Sequence, residues 1–276
     1  MEDEAFTARI LTTVGYYRLS AYLYPFRNKN GSDDFEPNTS MDKVWRYYRF
    51  DRRLRFLLID AMERIEVALK AMIVSRFTLA YGAFGYTDTA NFASHLKIQR
   101  HEEMLNVIRT EMERSKEEFV SHFKSKYDAS EGLPLWMAME IMTFGNMLTF
   151  FRLMKKQDKQ AIANHFGIPE QVLETWLVSL NYIRNICAHH GRVWNRVLPV
   201  RPALPKKLQE WNDPRFPVNP TRIYSILTIA RFLLRVIVPQ SHWVLRLKAH
   251  LDEFQDIPRL SMGIPEGFEN SALWRS

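Results

Sequence analysis

The chain is 276 residues long, 46% hydrophobic and 13% aromatic, which gives it the apolar material for a real core and excludes global disorder. Only 10 Gly and 13 Pro punctuate it, too few turn-formers for a sandwich or barrel of many short strands, so an all-α fold is expected. The net charge of +7 is uneven: residues 1–180 hold 24 basic and 24 acidic residues, whereas residues 181–250 hold 12 basic residues against Glu210 and Asp213, the mark of either a polyanion partner or a solvated basic face.

Residues 1–40 read as a small N-terminal elaboration. Within it Tyr16, Tyr17, Arg18, Tyr22, Tyr24, Phe26 and Arg27 interleave rings with guanidiniums, which suits either base stacking with phosphate contact or a hydrophobic strap over the core. The polar segment Gly31 to Ser40 is a loop, with Ser40 or Asp42 able to cap the helix that follows. From near Met41 to about Ala80 the spacing predicts one amphipathic helix: Leu54, Leu58, Ala61, Ile65, Leu69 and Met72 share a side, and Arg52, Arg53, Asp60, Glu63 and Lys70 lie mostly opposite. A charged helix fits His95 to about Tyr127, and a strongly apolar one fits Leu133 to Lys155. A short helix over Lys159–Phe166 ends at Gly167, and Pro169 then opens a helix that runs to His190 and stops at Gly191.

Residues 198–220 carry Pro199, Pro202, Pro205, Pro214, Pro217 and Pro220 and read as an extended excursion over the surface rather than a core element. Helical periodicity resumes over Thr221–Val238 and Ser241–Phe254, and the tail from Ile257 to Trp274 reads as an irregular strap. The longest nearly apolar run, residues 223–239, is interrupted by Arg231 and Arg235 and falls short of the roughly 20 residues that a membrane span needs. One helical domain over residues 1–276 is the simplest organisation. The single cysteine, Cys187, excludes an intramolecular disulfide framework and a Cys-based zinc site; with no charged-then-apolar opening segment, it points to the cytoplasm.

Chemistry concentrates at the end of the helix that stops at Gly191. At about 100° per residue, Leu173, Trp176, Leu177, Leu180, Ile183 and Cys187 fall in one buried arc, and Arg184 falls in it too. A guanidinium there needs a carboxylate, a partner subunit or a phosphate. Asn185 and His189 are four residues apart on a neighbouring face, and His190 and Arg192 flank the helix end. The set contains what RNA cleavage without a metal requires: an imidazole that exchanges a proton near neutral pH, a guanidinium for the charge on a pentacoordinate phosphate, and an amide to orient the imidazole. The alternative is structural, with Arg184 paired to Glu66 or Glu63 and the histidines closing the helix at the negative end of its dipole.

An arginine and a polar residue followed by a histidine at this spacing resemble the motif of HEPN-superfamily ribonucleases. More of the chain is similar to the Abi-like abortive infection family of bacteria: Val14-Gly15-Tyr16-Tyr17-Arg18-Leu19-Ser20-Ala21-Tyr22 with Tyr24-Pro25-Phe26-Arg27, Phe50-Asp51-Arg52-Arg53-Leu54 through Glu63-Arg64-Ile65-Glu66-Val67, Ala188-His189-His190-Gly191-Arg192-Val193-Trp194-Asn195, and Met262-Gly263-Ile264-Pro265 near Trp274. This resemblance implies a HEPN-type helical bundle with peripheral helices and loops, and an anti-phage or toxin–antitoxin ribonuclease that needs no metal or other cofactor. Arg184 and His189 would be the catalytic pair and Asn185 the orienting residue, with His190, Arg192 and Glu66 in support. Because the motifs of two HEPN units face each other in that superfamily, the resemblance also implies a homodimer for a chain with one motif, and attack of a ribose 2′-hydroxyl on the adjacent phosphate as the reaction. Relatives carry further residues ahead of the stretch that matches here at Glu4 to Leu11, and some are held by a small structured RNA, a complex that stands as the alternative to catalysis.

Trp194 with Arg196, followed by Arg201, Lys206 and Lys207, forms the most plausible strip for tracking an RNA backbone, with Arg18 and Arg27 as further contacts; the alternative is a solvated loop. His95, His101, Glu102 and Glu103 lack a second ligand cluster at coordinating spacing, so no metal is expected. GxxxxGK[ST], GxGxxG and GxSxG are absent, which removes the usual support for nucleotide-triphosphatase, dinucleotide and serine-hydrolase chemistry.

Overall fold

The long helix predicted from Met41 is the axle of the structure. A computed structural model of the chain describes residues 2–28, 34–37, 39–94, 98–128, 130 and 132–275. Among these the chain is all-helical, with no strand and only the isolated bridges Arg27–Phe35 and Phe92–Met154. Two short helices, α1 (Glu2–Val14) and α2 (Tyr16–Leu23), precede α3 (Met41–Tyr81), which at 1.5 Å per residue is about 60 Å long. Ser40 caps α3 through its hydroxyl, which accepts from Lys43 N at 3.2 Å. The stripe Leu54, Leu58, Ala61, Ile65 and Leu69 is fully buried, as its spacing requires.

The charged segment after α3 forms α4 (Ile98–Arg114) and α5 (Glu118–Lys126) rather than one helix, because the Ser115 hydroxyl accepts Glu117 N–H at 3.3 Å and diverts the backbone. The apolar segment likewise divides into α6 (Leu135–Ile141) and α7 (Phe144–Leu153). Thr143 interrupts it as the N-cap of α7, accepting from Asn146 N at 3.2 Å, and Lys70 Nζ covers the freed Met142 carbonyl at 2.7 Å. After α8 (Lys156–Asn164) come α9 (Glu170–Ala188), α10 (Ile223–Ile237) and α11 (Trp243–Glu253). Helices α2, α6, α9, α10 and α11 all pack against α3. Helix α10 is buried almost all round, which makes it the central partner of α3 rather than a surface helix.

The proline-rich segment 198–220 is not a simple surface excursion. Leu198, Trp211 and Val218 are buried, Trp211 packs between Trp176 and Phe232 at 5.1 and 5.6 Å, and Trp176 Nε1 donates to Ala203 O at 2.8 Å. A large ring with no room at the surface pins the loop to the core. The C-terminal strap behaves as its sequence suggests: Met262, Ile264, Phe268 and Trp274 are buried, and Trp274 Nε1 donates to Thr228 Oγ1 at 3.2 Å. No helix of the described residues is long and apolar enough to cross a membrane.

Candidate active site

Helix α9 ends in a double closure. Gly191 N donates to Ile186 O at 2.8 Å and His190 N to Cys187 O at 3.0 Å, the pairing that satisfies the last carbonyls of a helix. The left-handed position in that turn belongs to His190, with φ 58°, and not to the glycine beside it. A side chain with a Cβ there costs of order 1–2 kcal/mol. Gly191 serves a different need: a Cβ on it would lie 2.9 Å from Ile186 Cγ2 and 3.3 Å from Ile186 O.

The turn is fastened to α3 by a buried carboxylate. Asp51 has no exposed surface, and an isolated charge there would cost several kcal/mol. Its Oδ1 accepts Val193 N–H at 3.1 Å and Trp194 N–H at 2.6 Å; its Oδ2 accepts the Tyr22 hydroxyl at 2.6 Å and pairs with the Arg55 guanidinium. Arg55 also reaches Tyr22 Oη at 3.2 Å and Gly191 O at 3.4 Å. Burial raises the Asp51 carboxyl above the ordinary carboxylate value against the pull of Arg55, the Tyr22 hydroxyl and the two N–H groups, and it raises the Tyr22 phenol as well. Arg18 on α2 closes the other side by donating to His190 O at 2.8 Å.

Around this turn the residues expected from the sequence take different places. Asn185 and His189 are exposed on the last turn of α9, His189 as its C-cap, and no hydrogen bond joins their side chains. Arg184 is half-buried rather than buried, and it makes no hydrogen bond or ion pair among the described residues. Glu66 is paired to Lys70 at 3.1 Å, one turn along α3, and not to Arg184. His190 is exposed, whereas Arg192 turns toward α2 and donates to the Ala21 carbonyl. Cys187 is buried, which pushes its thiol up to about 12 and leaves it inert.

The expected RNA strip divides. Trp194 is 1% exposed and packs edge-on against Tyr47 at 4.8 Å, so its ring is core and not a stacking platform. Arg196 folds back onto Arg192 O at 2.9 Å. Arg201, Lys206 and Lys207 are exposed on the proline-rich segment, and Arg27 is exposed beside its bridge to Phe35. Several cations of residues 181–250 are engaged internally: Arg215 with Asp213, Arg235 with Glu210, Arg246 with Asp60, and buried Arg231 with the Arg275 carbonyl. His101 is buried with Nδ1 against Thr89 Oγ1 and Nε2 against Tyr86 O, so both ring nitrogens are occupied by protein; His95 lies outside the described residues.

A family model described as Abi-like protein matches residues 9–195. The chain belongs to the Abi-like family. No curated protein and no solved structure matches it. The Abi-like match runs from α1 to the end of the turn after α9, and so takes in Arg18, Tyr22, Asp51, Arg55 and the Arg184 to Asn195 segment, while Arg201, Lys206 and Lys207 lie beyond it.

The Asp51 anchor is the structural feature that motif spacing missed. Its signal was present: Asp51 and Arg55 stand four apart on the stripe of α3 that also carries Leu54 and Leu58, where a charge demands a partner.

Proposed function

We propose that this Abi-like protein is a metal-independent endoribonuclease of the HEPN type that acts in abortive infection as a homodimer. The observation that supports it is the end of α9, where an exposed His189 and Asn185 and an unpaired Arg184 share one helix terminus that is locked to α3 through the turn after it. A turn held by a buried carboxylate is the kind of rigid mounting a reacting imidazole requires.

In the proposed reaction His189 takes the proton of a ribose 2′-hydroxyl, whose oxygen attacks the adjacent phosphorus. The P–O5′ bond breaks, the 5′-oxygen takes a proton from the equivalent histidine of the second copy, and a 2′,3′-cyclic phosphate remains. Arg184 offsets the charge on the phosphorane, an effect of several kcal/mol in a preorganised site. Single-stranded RNA is the favoured substrate because its backbone can reach the in-line geometry.

Induced expression in a bacterial host tests the reading: the wild type should arrest growth, and His189→Ala should relieve the arrest while the purified variant keeps its fold and traps heterogeneous RNA. Growth arrest unchanged by His189→Ala contradicts it. A second reading, an RNA-binding partner of a structured small RNA, is favoured by one observation: no hydrogen bond assembles Arg184, Asn185 and His189 within one chain. Under that reading Arg201→Glu with Lys206→Glu abolishes function and His189→Ala does not.

A further inference from the structure

Beside the turn, α1, α2, α3 and the end of α9 enclose a cleft of about 530 Å³. Three guanidiniums line it, Arg18 from α2 and Arg52 and Arg55 from α3, and no acidic side chain does. Asp51 stands behind Arg55 and neutralises it. Among the described residues the other two have no such counter-charge: Arg18 bonds only the neutral His190 carbonyl, and Arg52 lies 4.9 Å over the Phe56 ring without an ion pair. Two uncompensated cations facing one concave surface attract an anion, and low-dielectric walls strengthen that attraction.

The remaining walls suit more than a bare anion. Phe56 is 58% exposed, with its ring beside Arg52, a pairing on which a nucleobase can stack. The half-buried Tyr48 is stacked on Trp45 at 5.0 Å, and its hydroxyl makes no hydrogen bond among the described residues. His190, the neighbour of His189 in sequence, borders the same cleft.

We propose that this cleft is a one-nucleotide subsite for single-stranded RNA, in which Arg18 and Arg52 hold a phosphate and Phe56 stacks a base. The assignment rests on the reading that the protein handles RNA, and not on its cleaving that RNA. It also gives α1 and α2 a role: they form the wall that carries Arg18.

The test is binding of a fluorescent single-stranded oligoribonucleotide to the 276-residue His189→Ala protein, which separates this subsite from catalysis. Arg52→Ala should weaken binding at least about tenfold, as expected for a lost charge-assisted contact. It should also make the dependence of log K on log salt shallower by about 0.7, the share of one phosphate contact. Phe56→Ala should weaken binding and Phe56→Tyr should restore it. Arg52 and Phe56 are exposed, and unchanged thermal melts would exclude misfolding as the cause. Binding and salt slope unchanged in Arg52→Ala and Phe56→Ala overturn the subsite even if the wild type cleaves RNA. Binding of 5′-AMP as tight as that of the oligonucleotide also overturns it, in favour of a free-nucleotide site. Loss of binding in these variants upholds it even if no cleavage is ever found.

Discussion

Asp51 and Trp194 are joined by a 2.6 Å hydrogen bond that links the first half of the long α3 helix to the turn after α9. Through this bond, and the one from Val193, the position of the end of α9 depends on a carboxylate far away in sequence.

Asp51→Ala leaves Arg55 buried without its counter-charge and two backbone N–H groups without an acceptor, so it should cost about 3–5 kcal/mol. Asp51→Leu with Arg55→Met removes both charges together and should recover much of that stability while still releasing the turn. Denaturant unfolding of the three proteins checks the order; a double variant no more stable than Asp51→Ala contradicts it.

His190→Gly relieves a left-handed side chain and should raise unfolding stability by about 1 kcal/mol. Gly191→Ala should do the reverse, because its new methyl meets Ile186. Denaturation midpoints shifting in opposite directions are the expected result, and a destabilised His190→Gly would mean that its side chain holds the turn.

His250 on α11 stacks on Phe50 at 4.6 Å, with Arg53 and Glu253 nearby, and burial lowers its pKa to about 4. The unfolded chain therefore binds more protons than the folded one between about pH 6.5 and 4. Stability is complete above that window and is lost as pH falls through it, by up to about 3 kcal/mol. Unfolding measured from pH 7 to 4 should show this slope, and His250→Phe should flatten it; an equal slope in the variant would assign the loss to other groups.

The apolar period of α3, its Ser40 cap and the helix ending near His190 were legible because each rests on local spacing. The breaks at Ser115 and Thr143 were not, since a single side chain capturing a nearby N–H outweighs helix propensity over only one turn. Trp194 was misplaced for a related reason: an aromatic flanked by arginines reads as a surface platform until its backbone N–H is seen bonded to Asp51. The charge excess of residues 181–250 is smaller as a surface feature than as a count, because Arg246 pairs with Asp60 outside that stretch and Arg231 is buried.

The most direct measurement is cleavage of a single-stranded RNA in EDTA by the purified wild type and by His189→Ala, with the product termini determined. The wild type should give 2′,3′-cyclic phosphate and 5′-hydroxyl ends, undiminished by the chelator, and the variant none. Cleavage that is lost in EDTA and restored by magnesium, or that survives His189→Ala at the same rate, contradicts the proposed reaction.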